Sequence, residues 1–119
     1  MVIDDQPGVR RLIYEVLNRA GFDVTLATNA NEALGRISVD KPGLIILDMK
    51  MPGMSGIEFL KELRQRAKDL PVIVITAYSE ADITAEIRKL GVRYFLNKPF
   101  DISQLYLLVH EILRPGKLL

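Results

Sequence analysis

Cysteine is missing from this chain of 119 residues, so disulfides and thiolate metal sites are excluded. That absence suits a reducing cytoplasm, where the protein is expected to reside. A net charge of one sign is missing too: 16 basic side chains face 15 acidic ones, for a net charge of +1. Neither nucleic acid nor an anionic membrane is therefore expected as the main partner. No apolar run is long enough to span a bilayer, and the start, Met1-Val2-Ile3-Asp4-Asp5, lacks the pattern of a signal peptide. Linkers, repeats and low-complexity stretches are absent as well. Histidine occurs once, as His110, which falls off the apolar stripe of its helix and has no metal or phosphotransfer partner in the sequence. It reads as a surface residue.

What is present is a regular alternation. Apolar residues make up 49% of the chain and charged residues 26%, enough for one domain over 1–119 with its own core. Five strands are expected: Met1–Asp4, Phe22–Ala27, Leu44–Asp48, Val72–Thr76 and Arg93–Leu96. Leu44–Leu47 and Val72–Ile75 are apolar at every position, as strands covered on both faces must be.

Helical spacing fills the gaps. Val9, Leu12, Ile13, Val16 and Leu17 form the inner face of the first helix, with Pro7 at its opening and Gly21 at its exit. The second helix covers Ala30–Val39, with Asn29 as cap and Glu32 completing a capping-box-like pair. The third follows Ser55 and Glu58, which repeat that arrangement, and turns Ile57, Leu60 and Leu63 inward. The fourth spans about Glu80–Leu90, with Ile83, Ile87 and Leu90 inside. The fifth spans about Ile102–Leu113, capped by Asp101, with Leu105, Leu108, Val109 and Ile112 inside. Such a (βα)₅ series predicts an α/β doubly wound parallel sheet of flavodoxin-like strand order 2-1-3-4-5.

In such sheets ligands gather beyond the carboxyl ends of the strands. That rim should carry Asp4 and Asp5 after strand 1, Asp48 after strand 3, Thr76 after strand 4 and Lys98 after strand 5. Three crowded carboxylates repel one another unless a cation enters. Oxygen ligands favour a hard ion such as Mg²⁺, with Mn²⁺ as the alternative. The ion would screen an incoming phosphate from the carboxylate that attacks it, Asp48 being the best-placed nucleophile. Lys98 can neutralise a phosphoryl oxygen and Thr76 can donate a hydrogen bond to another. Taken singly, each residue has an ordinary reading as a turn, a cap or a solvated side chain. All five on one rim point to phosphoryl transfer.

With these residues in place the chain resembles the receiver domains of bacterial response regulators, from Met1 to about Leu113. The motifs are Asp4-Asp5 after a short apolar strand, Asp48-Met49-Lys50-Met51-Pro52-Gly53 with Gly56, Thr76-Ala77 and Lys98-Pro99-Phe100. The stretches 48–60, 76–78 and 98–102 look most like the single-domain regulators of the sporulation phosphorelay in bacilli. The resemblance implies that Asp48 is the phosphoacceptor. Asp4, Asp5 and the main-chain carbonyl of Lys50 would help hold Mg²⁺, Asp4 through water. The donor would be the phosphohistidine of a sensor histidine kinase or a histidine phosphotransferase, and the Lys98–Pro99 bond would be cis. The protein would be a monomer or weak dimer that catalyses its own phosphorylation and dephosphorylation and has no separate small-molecule substrate.

Some positions depart from the pattern. Receivers carry more residues before the acidic pair, so strand 1 is short here and the sheet is expected to be weaker. The position three before the lysine, a rotating Tyr or His in the family, is Phe95, which has no hydroxyl; a half-buried strand aromatic is the equal alternative. Lys50 near the site mouth tunes attack by water on the acyl phosphate or is a plain surface lysine. Met49, Met51 and Met54 flank the acceptor, and Met51 with Pro52 should lie exposed as an adaptable partner surface. Val9, at the start of helix 1, is expected on the same docking surface. Two versions stay open: a relay intermediate, or the receiver of a larger transcription regulator. A flavin- or nucleotide-binding protein is disfavoured, because the acidic loop after strand 1 lacks the glycines and free amides of a phosphate cradle. A phosphorylation-independent interaction domain would have no need of the full acidic and lysine set.

Overall fold

The computed structural model describes residues 1–50, 55–76 and 81–113, the side chains of 81–83 excepted. The chain alternates β1 (Val2–Ile3), α1 (Pro7–Arg19), β2 (Leu26–Ala27), α2 (Ala30–Val39) and β3 (Ile45–Asp48). It continues with α3 (Gly56–Arg66), β4 (Val72–Thr76), α4 (Ala81–Lys89), β5 (Tyr94–Asn97) and α5 (Ile102–Leu113). All strand pairs are parallel, and the sheet order is β2-β1-β3-β4-β5. The (βα)₅ doubly wound sheet is therefore the one expected.

Successive residues of a strand face opposite ways, and the core follows that period. Ile3, Ile45, Leu47, Val72 and Val74 point to one face, where α2, α3 and α4 supply Leu34, Ile37, Phe59, Leu60, Leu63 and Ile87. Val2, Ile46, Ile73 and Ile75 point to the other, against Ile13 and Leu17 of α1 and Leu105 and Val109 of α5. This two-sided cover is what a run of continuous apolar residues requires.

The helix ends follow their local chemistry. Asn29 Oδ1 accepts from the Glu32 N–H at 2.8 Å, but the Glu32 carboxylate turns to Thr28 Oγ1 (2.9 Å) rather than closing a reciprocal pair with Asn29. Ser55 and Glu58 do form a full capping box. Asp101 Oδ1 accepts from Ser103 N–H at 2.9 Å. Gly21 closes α1 with a φ of 94°, a conformation that favours glycine.

Several expectations are corrected. Strand β2 is Leu26–Ala27 and not Phe22–Ala27. Its neighbour β1 offers only Val2 and Ile3, and the bond from Val2 N–H to Thr25 O (2.8 Å) is the last between them on that side. Phe22 and Val24 border an apolar cavity of about 660 Å³ instead of a strand. Leu12 does not face inward: it is 51% exposed, because Ile13 and Leu17 already fill the contact of α1 with the sheet. On α3 the buried aromatic is Phe59, while Ile57 sits half-buried at the margin. His110 is half-buried, stacked on Tyr106 with 6.0 Å between ring centroids.

Candidate functional site

Each site residue stands where a strand ends. Asp4 and Asp5 follow β1, Asp48 closes β3, Thr76 closes β4, and Lys98 follows β5. Parallel pairing brings these ends to one rim: Asp48 is in register with Ile75, and Thr76 with Asn97. The chain leaves β5 with Lys98 N–H donating to Thr76 O at 2.9 Å, and Lys98–Pro99 is cis. Lys98 reaches back over the sheet edge, and its Nζ lies 3.0 Å from Asp48 Oδ2. The other oxygen of Asp48, Oδ1, accepts from Lys50 N–H at 3.1 Å. Asp48 is buried, as are Asp4 and Thr76.

Asp4 is held at three points. Its N–H donates to Ala27 O (3.2 Å), its Oδ1 accepts from Gln6 N–H (2.9 Å), and its carbonyl accepts from Arg10 Nη1 (2.7 Å). Oδ2 is buried without a hydrogen-bond partner among the described residues. Burial pushes the Asp4 carboxyl above its ordinary range; the charges of Asp48 and Asp5 add to this, while Gln6 N–H and Lys98 oppose it.

A divalent cation fits these donors. One oxygen from each of Asp4, Asp5 and Asp48 lies within 4.8 Å of the others, and Asp5 is open to solvent. All are hard oxygen ligands, which suits Mg²⁺ with part of its water shell kept. The unsatisfied Asp4 Oδ2 supports the fit, since a buried acceptor without a donor is costly unless a cation or water meets it.

The remaining expected residues scatter. Lys50 is exposed and touches Asp48 through its N–H. Val9 is half-buried against the α1–α5 core rather than open, and the exposed apolar residue of that helix is Leu12. Phe95 is half-buried on the opposite core, with the Arg88 guanidinium 4.9 Å above its ring centroid. Met49 packs half-buried on that same core; Met51, Pro52 and Met54 lie outside the described residues. Two contributors escaped the sequence, Gln6 and Arg10. Both act on or through the main chain, which leaves no side-chain pattern to read.

The comparisons agree with this geometry. Residues 1–110 match the family model described as the response regulator receiver domain. The chain is 41% identical over 105 residues to sporulation initiation phosphotransferase F of Bacillus subtilis, covering 88% of the chain and 85% of that protein. It is 34% identical to the regulatory protein AtoC of Escherichia coli, covering 96% of the chain but only 25% of that longer protein. Among solved structures, the receiver domain of the Francisella response regulator 1452 superposes with a TM-score of 0.88 at 32% identity, covering 96% of this chain and 94% of that one. By family model, relatives and fold alike, this chain belongs to the response regulator receiver domains, the phosphoacceptor modules of two-component signalling.

Proposed function

We propose that Asp48 accepts the phosphoryl group, with a Mg²⁺ ion held by Asp4, Asp5 and Asp48 itself. The observation that carries this reading is the convergence of three carboxylates within 4.8 Å, one of them 3.0 Å from the Lys98 ammonium. When bound, the ion supplies charge neutralisation for the transferring phosphoryl oxygens.

The chain's own residues supply the rest. Lys50 N–H and Lys98 fix the two oxygens of Asp48, so the nucleophile is oriented before the donor arrives. The donor is the phosphohistidine of a sensor histidine kinase or a histidine phosphotransferase. Its nitrogen–phosphorus bond breaks as an Asp48 oxygen–phosphorus bond forms, and the leaving imidazole takes up a proton. Lys98 then turns from the carboxylate to a phosphoryl oxygen, and the Thr76 hydroxyl donates to another. The main-chain carbonyl of Lys50 would help hold the ion alongside the three carboxylates. The mixed anhydride is either passed to a second histidine or hydrolysed at the same site.

The similarity over 85% of a sporulation phosphotransferase favours the relay version over a transcription-regulator receiver. The protein would act in the cytoplasm, where kinase domains present their phosphohistidine. No helix among the described residues is long and apolar enough to cross a membrane.

Incubation with acetyl phosphate and Mg²⁺ tests the assignment. A hydroxylamine-labile label mapped to Asp48, absent in D48N and abolished by chelation, is expected. A label on another residue, or none, rejects it.

A further inference from the structure

The peptide that joins the acidic pair accepts one hydrogen bond, and it comes from a different element. Asp4 and Asp5 are consecutive, so the two torsions flanking the peptide between them set where one carboxylate lies relative to the other. The carbonyl of that peptide accepts from Arg10 Nη1 at 2.7 Å. Among the described residues no other hydrogen bond reaches this carbonyl, and none reaches Asp5. Gln6 N–H fixes only the Asp4 carboxylate.

Arg10 is itself well held. It lies in the first turns of α1, where its N–H donates to Gln6 O at 3.0 Å, and Ile13 and Leu17 anchor that helix in the core. Across the gap lies Glu32 on α2, whose carboxyl is held below its ordinary range chiefly by the Thr28 hydroxyl, with the charges of Arg36 and Arg10 adding to it. The contact of Arg10 with the acidic pair is the hydrogen bond that it donates to the Asp4 carbonyl, which sets the orientation of that peptide.

We propose that Arg10 is a positioning residue of the cation site, setting its affinity by clamping the Asp4–Asp5 peptide. The inference rests on the metal site proposed above. Removing an outer partner that orients a ligand lowers metal affinity on the order of tenfold or more.

The test is calorimetric titration with Mg²⁺, paired with amide NMR shifts at Asp5 and Gln6, on wild type, R10M and R10K. Melting of each protein without metal is measured alongside. R10M is expected to bind Mg²⁺ on the order of tenfold more weakly with little change in metal-free melting, and R10K, which keeps a donor, to recover part of the loss. Unchanged Mg²⁺ affinity in R10M overturns the proposal. So does a loss of affinity matched by an equal loss of metal-free stability in both variants. Wild-type protein that fails to bind Mg²⁺ would overturn the cation site itself, whatever the variants do.

Discussion

Lys98 Nζ and Asp48 Oδ2 meet at 3.0 Å although 50 residues separate them, and the carboxylate is almost wholly buried. The other ion pairs among the described residues are solvent-open contacts one helical turn apart, worth little each. The Lys98 pair differs because it holds a cation against a carboxylate that Asp4 and Asp5 already repel.

K98M should therefore leave Asp48 without its counter-charge. Removing one member of a fully buried pair costs several kcal/mol; with Lys98 about a quarter exposed, about 1–2 kcal/mol is expected here. Urea unfolding in EDTA reads this loss. Saturating Mg²⁺ should restore much of it, because the ion replaces the missing positive charge. A loss that Mg²⁺ leaves untouched would mean that the lysine acts only through packing.

Asp4 gives a pH-dependent prediction. Its carboxyl is raised in the folded protein, chiefly by burial, so the native state binds this proton more readily than the unfolded chain does. Above the raised value the ionised Asp4 weighs against folding. As the pH falls through that value the penalty is relieved, and it is gone below the ordinary aspartate value of 3.8. Without metal, D4N should thus be more stable than wild type at pH 7, by about 1 kcal/mol on the scale of an unsatisfied buried polar group. The gap should close on acidification, and Mg²⁺ should reverse it by stabilising only the wild type. Melting curves across pH, with and without Mg²⁺, check all three signs.

The parts legible in the sequence are those with a side-chain signature. Leu44–Leu47 and Val72–Ile75 announce strands covered on both faces, and the rim residues follow because parallel sheets expose their carboxyl ends. Phe22–Thr25 misled, since alternating side chains look the same whether or not a partner strand lies alongside. Leu12 misled because an apolar stripe on a helix does not reveal how wide the covering surface is. Gln6, Arg10 and Arg64 were invisible for another reason. Their partners are a carboxylate two residues back or main-chain carbonyls, and a carbonyl is the same at every residue.

Gly56 tests how closely the acceptor's neighbourhood is packed. A Cβ there would lie 2.5 Å from Met49 Sδ and 3.3 Å from Met49 Cα. The thioether can swing aside, but the main chain of the residue next to Asp48 cannot easily follow. G56A is expected to cost about 1–3 kcal/mol, as overpacking does. The same change in an M49A background should cost less, because the thioether contacts are gone and only the 3.3 Å approach to the Cα of residue 49 remains. Equal costs in both backgrounds would place the strain at the main-chain contact, which M49A leaves in place. In the single variant, phosphorylation from acetyl phosphate should slow along with the loss of stability.

Arg64 carries the last prediction, on the end of the molecule far from the rim. Its Nε donates to Leu90 O at 2.6 Å, and its Nη1 to Leu70 O at 2.7 Å and Ala67 O at 3.1 Å. One side chain thus ties the end of α3 and the approach to β4 to the turn after α4. Burial lowers the guanidinium pKa from its ordinary value, yet arginine keeps its proton, so the bonds remain charge-assisted. R64M keeps the aliphatic stem and removes every donor, leaving the carbonyls of Leu90, Leu70, Ala67 and, at 3.5 Å, Gly91 to find water. The expected loss is about 2–3 kcal/mol, summing bonds of ordinary net strength. R64K should recover less than half, because an ammonium cannot span carbonyls that a planar fork reaches together. The acetyl phosphate rate under folding conditions should stay near wild type in both variants, since no Arg64 contact reaches Asp48. A slowed rate in folded R64M would show that the two ends of the sheet are coupled.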